Sequence, residues 1–435
     1  MKLKIRNFAK IEEADIIIDG ITVIAGENNT GKSTIGKVLF SIFNSLSNID
    51  EKIYNERISA IDRKIRNTLR DNIGYSLSVR SIARDIGTIL SRVNSKLFYN
   101  NLETNKPRDI ILGIVNEQLE SKKNRFPEIT QLDWSIILNE IEEGVQEILD
   151  REEKDIKVKV LSDYFDQVFH SQIKPLWESS VSESVITLEI KNQIENLYFE
   201  GNVCKDLSEN INLIHKAVYI DNPFIVDELS IYADSNPMNE LLKDLLITRN
   251  SVNDISGIFE EIQAKEKLEE VYRVLENAIE GKIIIKQNDG LYLKNNKFQE
   301  PISVQNLSTG MKSFLILKLL LEKNILNEKD VVILDEPEIH LHPEWQIIYA
   351  ELIVLLQKCF DLSMIVTSHS PYFVDAINIF SKKYEIDKKV NYYLSSNVEN
   401  RVKMDNVTDK LDLIYSKMAS PIQVLETLRY ELNNK

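Results

Sequence analysis

The chain of 435 residues has few cysteines and no long apolar run. Its two cysteines, Cys204 and Cys359, cannot form a C-x-x-C metal hook, and in a reducing compartment both are expected to be buried thiols. A membrane-spanning helix needs about 18 or more apolar residues, but the richest candidate, residues 347–356, is short and contains Glu351. No cationic segment followed by an apolar stretch opens the chain. These absences predict a soluble cytoplasmic protein that does not enter the membrane.

An excess of positive charge is also missing. The formal net charge is −15, which argues against a uniformly basic nucleic-acid binder. The distribution is uneven, because residues 57–125 hold 14 Lys/Arg against 7 Asp/Glu. Two interpretations remain open: a solvated helical face, or a surface that contacts the phosphate backbone of DNA. Candidates for such contacts are Arg63, Lys64, Arg66 and Arg70.

The apolar pattern changes its period along the chain and predicts an α/β protein with a large, mostly α-helical insertion. Residues 2–24 read as an edge hairpin that leads into a central strand. Helical spacing without sustained heptads then dominates to about residue 212. Strand character returns at residues 217–220, and Asn288-Asp289-Gly290 marks a later hairpin. We therefore expect an N-terminal lobe (1–47), a helical insertion (48–212) and a C-terminal lobe (213–435).

The segment from Gly26 to Ser33 fits the pattern G-x-x-x-x-G-K-[ST] and stands between an apolar run and a helix-like one. A strand, a glycine loop and a helix N-terminus together aim backbone N–H groups at an anion, while Lys32 reaches the β- and γ-phosphates and Ser33 ligates Mg²⁺. The pattern predicts an ATP-binding loop. Its candidate nucleotide-binding residues are Gly26, Asn28, Asn29, Thr30, Gly31, Lys32, Ser33 and Thr34.

Two later strands end in polar residues suited to phosphate chemistry. The run Val331 to Leu334 ends in Asp335 and Glu336, which a buried parallel strand would present at the carboxyl edge of its sheet. Asp335 is suited to hold Mg²⁺ through its water shell, and Glu336 to act as general base. A second apolar strand ends in His369, which is suited to sense a γ-phosphate. The alternative, a strand ending in a solvated acidic turn, is weaker because Lys32 is present.

The segment Asn306 to Ser313 (NLSTGMKS) resembles the signature motif of ABC-type ATPases. Ser308 and the backbone near Gly310 would form a second anion-binding helix start. The string Glu336 to Pro343 (EPEIHLHP) and the opening strand Leu3 to Phe8 are similar to the OLD, RecF and SMC-like branch of that superfamily, of the AAA_15 type. The H-x-H spacing within the string could also suggest a metal site, but no third ligand accompanies it.

This resemblance implies an ABC-type ATPase head with a mixed sheet that hydrolyses ATP with Mg²⁺. It also implies a head-to-tail dimer in which Ser308 and Gly310 serve the ATP of the partner subunit, and it is compatible with a higher oligomer. Asp221 stands where the superfamily usually has its Q-loop glutamine. Only about 60 residues follow Pro371, fewer than a further nuclease domain needs. We therefore expect an ATPase that controls a separate effector, such as a nuclease or toxin, in anti-phage defence; the alternative is a repair or chromosome-associated clamp that grips DNA.

Overall fold

The computed structural model describes residues 1–73, 84–85, 107–123, 134–177, 183–208, 213–229, 236–247, 258–286 and 290–433. The chain divides into two compact units. One comprises Met1–Ser47 with Leu161–Lys435, and the other comprises Asn48–Val160. In the described ranges, no helix is both long and apolar enough to cross a membrane.

Fourteen strands belong to the first unit, within the described residues. They are β1 (Lys2–Phe8), β2 (Ile11–Ile17), β3 (Ile21–Gly26), β4 (Glu183–Ile190), β5 (Gln193–Glu200), β6 (Val203–Leu207), β7 (Ala217–Ile220), β8 (Lys282–Lys286), β9 (Gly290–Lys294), β10 (Ile302–Ser303), β11 (Val331–Asp335), β12 (Ser363–Ser368), β13 (Val390–Val398) and β14 (Arg401–Asn406). Eleven of them form one sheet in the order β6-β5-β4-β1-β2-β14-β13-β3-β12-β11-β7, and β10-β9-β8 form a second.

The two units together contain eleven α-helices among the described residues. They are α1 (Lys32–Leu46), α2 (Ile49–Ile73), α3 (Pro107–Lys123), α4 (Trp134–Asp150), α5 (Glu153–Phe169), α6 (Pro237–Ile247), α7 (Ile258–Ala278), α8 (Thr309–Glu322), α9 (Pro343–Phe360), α10 (Pro371–Lys383) and α11 (Asp412–Asn433). A short 3-10 helix (Pro223–Asp227) follows β7.

The large sheet is mixed: the pairs from β6 to β13 are antiparallel except for the parallel pair of β2 and β14, and the pairs from β13 to β7 are parallel. The strands β13, β3, β12, β11 and β7 run parallel to one another. All six residues of β3 are buried, as are the first four of β11. Continuous apolar runs of this kind are typical of parallel strands covered on both faces. The carboxyl ends of β3, β11 and β12 therefore meet at one edge, which is where the candidate site lies.

The second unit has a helical core among its described residues. In α2, Ile61, Ile65 and Leu69 recur every four residues and are fully buried against Ile141 and Val145 of α4. Residues four apart share a helix face, so this spacing explains why α2 and α4 pack together. The predicted α/β class with a mixed sheet and a helical insertion is confirmed.

The structure corrects two details. The helical unit ends at Val160, whereas the helical pattern predicted an insertion to residue 212; residues 183–207 instead form β4, β5 and β6. The opening hairpin is not at the sheet edge, because β1 pairs with β4 as well as β2. The hairpin of β8 and β9 is confirmed, although Asn288 and Asp289 lie outside the described residues.

Candidate nucleotide site

The phosphate-loop candidate begins where β3 ends. Two glycines of the loop have backbone conformations that residues with a side chain rarely adopt, with φ of 157° at Gly26 and 72° at Gly31. At Gly26 a Cβ atom would also lie 2.8 Å from the carbonyl oxygen of Ser395 on the neighbouring strand β13. The tight turn therefore needs glycine at both positions. Gly31 is the N-cap of α1 and has no side chain to cap it; the N–H of Thr34 donates to the carbonyl of Gly31 at 3.1 Å, which leaves the N–H groups of Lys32 and Ser33 available to an anion.

Hydrogen bonds within the loop fix its shape. The Thr30 hydroxyl donates to the carbonyl of Glu27 at 2.7 Å, and the Lys32 ammonium donates to the carbonyls of Gly26 and Glu27 at 3.1 and 2.8 Å. Lys32 is only 3% exposed, so its charge is held inside the loop. At the exposed tip, Asn29 has φ of 65° and accepts a hydrogen bond from the ammonium of Lys10.

Three hydroxyl groups converge on Asp335 at the end of β11. Ser33 donates to Oδ1 at 3.0 Å, Thr367 of β12 donates to the same oxygen, and Tyr219 of β7 donates to Oδ2 at 2.6 Å. Burial, and then the neighbouring carboxylate of Asp335, raise the pKa of Tyr219 well above its ordinary value. Tyr219 therefore stays a protonated donor at neutral pH. Hydroxyl groups of α1, β12 and β7 therefore orient the carboxylate of Asp335.

These oxygen donors fit Mg²⁺. A serine hydroxyl and a carboxylate oxygen only 3.0 Å apart present the hard ligands that Mg²⁺ prefers together with water and phosphate oxygens. A metal site at the H-x-H spacing is not supported, because the described residues contain no cluster of three or more His, Cys, Asp or Glu side chains that could hold a metal ion. His340 and His342 are therefore not assigned to a metal.

Glu336 follows Asp335 with a left-handed backbone, at φ of 50°. Its N–H donates to the hydroxyl of Thr367 at 2.9 Å, and its carboxylate lies 3.2 Å from the Lys32 ammonium. A left-handed conformation at a residue with a side chain costs of order 1–3 kcal/mol and occurs often at functional sites. Here it turns the carboxylate of Glu336 out of the strand direction and towards the phosphate loop.

His369 stands after β12, next to a buried acid. The backbone N–H of His369 donates to Oε1 of Glu338 at 2.8 Å, and the Ser368 hydroxyl donates to the same oxygen at 2.6 Å. The imidazole Nδ1 lies 3.5 Å from Glu338 and 3.7 Å from Oε2 of Glu336. Glu338 is 1% exposed, and burial raises the pKa of its carboxyl above 4.5. Glu338 thus anchors the histidine beside Glu336.

Asp221, the candidate Q-loop equivalent, lies at the same edge. It directly follows β7, which is the parallel neighbour of β11. Asp221 is an exposed residue, and partial desolvation together with the nearby charge of Asp335 raises the pKa of its carboxyl above 3.8. The structure therefore brings Asp221 within electrostatic reach of the candidate Mg²⁺ ligand.

The signature-like segment lies apart from this cluster. Ser308 is the exposed N-cap of α8 and accepts a hydrogen bond from the N–H of Met311. Gly310 is buried, and a Cβ there would lie 3.0 Å from the Trp345 ring. Among the described residues, no hydrogen bond or ion pair joins Ser308 or Gly310 to the phosphate loop.

The four basic residues considered for DNA contacts all lie on α2 near acidic partners. Lys64 is 3.8 Å from Glu140, Arg66 is 2.7 Å from Asp62, Arg63 is 3.9 Å from Glu56, and Arg70 is 3.3 Å from Asp71. This part of the basic stretch is therefore balanced by acids on the same unit. Residues 74–83, 86–106 and 124–125 of the stretch lie outside the described residues.

Sequence reasoning missed three side chains of the site. Tyr219 lies in the strand predicted at residues 217–220, Thr367 is one of the hydroxyl residues that end the strand before His369, and Glu338 lies in the EPEIHLHP string, but sequence analysis assigns a role to none of the three. The available signal was position, because Tyr219 and Thr367 each stand next to the end of a parallel strand. An in-strand hydroxyl one or two residues before such an end can reach the end of the neighbouring strand.

Comparison with protein families gives a match over most of the chain. The family described as "AAA ATPase domain" (AAA_15) matches residues 1–374, a span that includes the phosphate loop and His369. A curated relative, "Retron Ec83 probable ATPase" from Escherichia coli, is 30% identical over 198 residues. That match covers 36% of this chain and 35% of the relative, so the chain spans about a third of the relative's length.

Solved structures give weaker likenesses. The "SMC head domain from Thermotoga maritima" aligns with a TM-score of 0.39 and 9% identity, covering 93% of this chain and 98% of that one. An Smc head domain with an extended coiled coil, derived from Pyrococcus furiosus, aligns with a TM-score of 0.42 and 10% identity, covering 98% of both chains. These likenesses are too low to assign a function.

Proposed function

This chain belongs to the AAA ATPase domain family, and from that premise we propose that it binds and hydrolyses ATP with Mg²⁺ at the Gly26–Ser33 loop. The observation that carries the proposal is the meeting of Lys32, Ser33, Asp335, Glu336 and His369 at one sheet edge. Each of these side chains is within hydrogen-bond or ion-pair distance of another member of the set. A structural turn would not need a buried lysine, a fixed carboxylate and a second acid in one place.

Each residue has a distinct part in the proposed reaction. Lys32 and the first-turn N–H groups of α1 bind the phosphates, while Ser33 and Asp335 hold the metal. Mg²⁺, when bound, neutralises charge on the β- and γ-phosphates. Glu336 accepts a proton from the attacking water as the bond to the leaving ADP breaks, and His369 contacts the γ-phosphate. Because Lys32 and Glu336 are paired at 3.2 Å, phosphate binding to Lys32 would free Glu336 for the water.

The first experiment measures Mg²⁺-dependent ATP binding and steady-state phosphate release. Lys32→Ala should abolish ATP binding, because the buried ammonium has no substitute in the loop. Glu336→Gln should retain binding and lower turnover by about 10²-fold or more, as expected for loss of a general base. Glu344→Gln, an exposed acid eight residues later, is the matched control. Hydrolysis at the wild-type rate in either site variant would refute the assignment.

We further propose that two chains associate head to tail around ATP, with Ser308 and Gly310 acting on the partner's nucleotide. The exposed N-cap of α8 supports this, because a helix start that faces solvent is free to bind an anion brought by another molecule. Sedimentation of Glu336→Gln should show an ATP-dependent dimer. Ser308→Arg should prevent that dimer and leave ATP binding by the single chain unchanged; a dimer that persists would contradict the arrangement.

The partner we propose is a separate effector, such as a nuclease or toxin, that the ATPase controls in anti-phage defence. Similarity to a protein named a retron ATPase favours this proposal over a transporter subunit. In this reading the second unit (Asn48–Val160) is the sensing or docking surface. Affinity capture of Glu336→Gln from its native locus, with mass spectrometry and nucleic-acid analysis, tests it. A stoichiometric small effector would support the proposal, and recovery of DNA alone would favour the clamp.

The DNA clamp is the alternative, and the local excess of basic residues is what favours it. The affinity of binding through phosphate contacts falls steeply with salt. The logarithm of the binding constant falls linearly with the logarithm of the salt concentration, with a slope of about −0.9 per phosphate neutralised. The acids beside Arg63, Lys64, Arg66 and Arg70 argue that α2 supplies few such contacts. DNA affinity that is unchanged between low and moderate salt would exclude this alternative.

A further inference from the structure

A pocket of about 350 Å³ lies against the phosphate loop and extends beyond it. Part of its lining comes from the phosphate loop and includes Gly31, Lys32 and Ser33. Another part comes from the β1–β2 turn and from the end of α5 and the segment after it, among them Phe169, His170, Gln172 and Leu176. The family match covers residues 1–374 and so includes this second part of the lining. Its residues have no role in the proposed reaction. We call residues 169–176 the pocket wall.

The pocket wall is fixed to the β1–β2 turn by backbone hydrogen bonds in both directions. The N–H of Ala9 donates to the carbonyl of Ile173 at 2.7 Å, and the N–H of Leu176 donates to the carbonyl of Ala9 at 2.9 Å. The side-chain oxygen of Asn202 also accepts from the N–H groups of Ile173 and Lys174, at 3.0 and 3.1 Å. The wall therefore has one defined shape beside the loop.

A sharp turn directs the side chains of the wall outwards. His170 and Ser171 have φ of 49° and 58°, and the N–H of Gln172 donates to the carbonyl of Phe169 at 3.0 Å. Under the turn, Phe169 stacks on Phe165 at 5.7 Å and meets Phe8 edge-on at 5.0 Å. This aromatic cluster supports a surface on which the side chains of His170 and Gln172 are exposed.

The chemistry of this surface differs from that of the loop. Leu176 is 51% exposed and lies in the same lining as a half-buried phenylalanine ring, an imidazole and an amide. The loop end supplies ammonium and N–H groups for anions, whereas the wall offers apolar and aromatic area with a few hydrogen-bonding groups. Pockets for flat heterocycles have this composition. The lining of one pocket thus contains both groups that bind anions and an aromatic ring.

We propose that the pocket wall binds the nucleoside half of the nucleotide, a purine ring with its ribose, while its phosphates occupy the loop. This inference rests on the proposed nucleotide binding and adds the residues that recognise the nucleoside. Leu176 and Phe169 pack against the ring, and His170 and Gln172 contact its polar edge or the ribose. The wall acts on affinity and not on the chemical step, because it contains none of the residues that contact the γ-phosphate end.

The test compares two probes in the presence of Mg²⁺: ATP, and inorganic tripolyphosphate, which has phosphates but no nucleoside. The double variant His170→Ala/Leu176→Ala changes exposed side chains only and should fold. Its affinity for ATP should fall about tenfold, which corresponds to about 1.4 kcal/mol, because the nucleoside loses the apolar contact of Leu176 and the polar contact of His170. Its affinity for tripolyphosphate should not change. Val203→Ala, at 48% exposure on β6, is the matched control.

A second variant guards against a purely structural effect. Gln172→Ala should also weaken ATP binding and leave tripolyphosphate binding unchanged, with kcat at saturating ATP as in the wild type. The inference would be overturned if a wall variant lost affinity for ATP and for tripolyphosphate equally, or if no wall variant changed the affinity for ATP. The phosphate site would still stand in either case, provided that Lys32→Ala no longer binds ATP or tripolyphosphate. If the wild-type protein bound neither probe, the phosphate site would be refuted, and the wall with it.

Discussion

The substitution Tyr219→Phe tests whether the carboxylate of Asp335 is held for Mg²⁺. The tyrosine ring is buried at 2% exposure and packs edge-on against Phe40 at 6.1 Å. Phenylalanine keeps that ring and removes only the hydroxyl that donates to Oδ2 of Asp335 at 2.6 Å. The donors Ser33 and Thr367 both act on Oδ1. The variant therefore releases one oxygen of the carboxylate and leaves the packing in place.

Two magnitudes follow from this geometry. A hydrogen bond to a charged group contributes about 1.5–3 kcal/mol, so the free energy of unfolding without nucleotide should fall by that amount. Loss of a group that orients a metal ligand typically lowers metal affinity by about 10–100-fold. We expect the Mg²⁺ concentration that half-saturates ATP binding to rise by about tenfold, because Ser33 and Thr367 still constrain Asp335.

The assay combines urea-induced unfolding with a Mg²⁺ titration of ATP binding. Tyr349→Phe is the control, since Tyr349 is also buried, at 1% exposure, and packs edge-on against Phe314 at 5.1 Å. Its free energy of unfolding should change by less than about 1 kcal/mol, and its Mg²⁺ dependence should match the wild type. If Tyr219→Phe behaved like this control, or bound Mg²⁺ more tightly, Tyr219 would not be an orienting residue.

Two further predictions concern packing and pH. Gly36→Ala should lower the free energy of unfolding by about 1–2 kcal/mol, because its Cβ would lie 2.6 Å from Ile333 and overpacking outweighs the gain in helix propensity; Gly113→Ala, with nothing within 4 Å, should stabilise instead. For Glu338→Gln, the direction in which stability changes with pH follows from the raised pKa of Glu338. A carboxyl with a raised pKa binds its proton more tightly in the folded wild type than in the unfolded chain. The contribution of Glu338 to the stability of the wild type should fall as pH rises above about 4.5, so the stability of the wild type relative to the variant should fall over that range; a difference that is constant with pH would contradict this.

Much of the candidate site follows from sequence because its residues stand at strand ends. A glycine loop after a buried strand, an acid pair after a second strand and a histidine after a third each place chemistry at a carboxyl edge. Parallel pairing of β3, β12 and β11 then brings the three ends together. The hydroxyls of Tyr219 and Thr367 are different, because they lie inside strands. Their importance depends on the register that sets Thr367 opposite Asp335, and no local pattern specifies that register.

The missed strands have a related cause. In β4 the buried residues Ser184, Ile186 and Leu188 alternate with partly exposed ones, but Glu189 of β4 and Glu195 of β5 lend residues 183–200 a helical composition. Residues 183–207 become strands because β1 offers β4 a full set of backbone partners, from Lys2 to Arg6. Strand formation here is decided by a pairing some 180 residues away in sequence, which overrides local preference.

The same long-range pairing bears on nucleotide recognition. Because β4 continues the sheet beside β1, the chain that leaves α5 at Phe169 passes the β1–β2 turn on its way to β4. That passage places the pocket wall next to the phosphate loop, and the two hydrogen bonds of Ala9 hold it there. A helical insertion to residue 212 would have no reason to contribute a wall at that point. The strands that sequence reasoning missed are therefore the reason that the segment between α5 and β4 can line the nucleotide pocket.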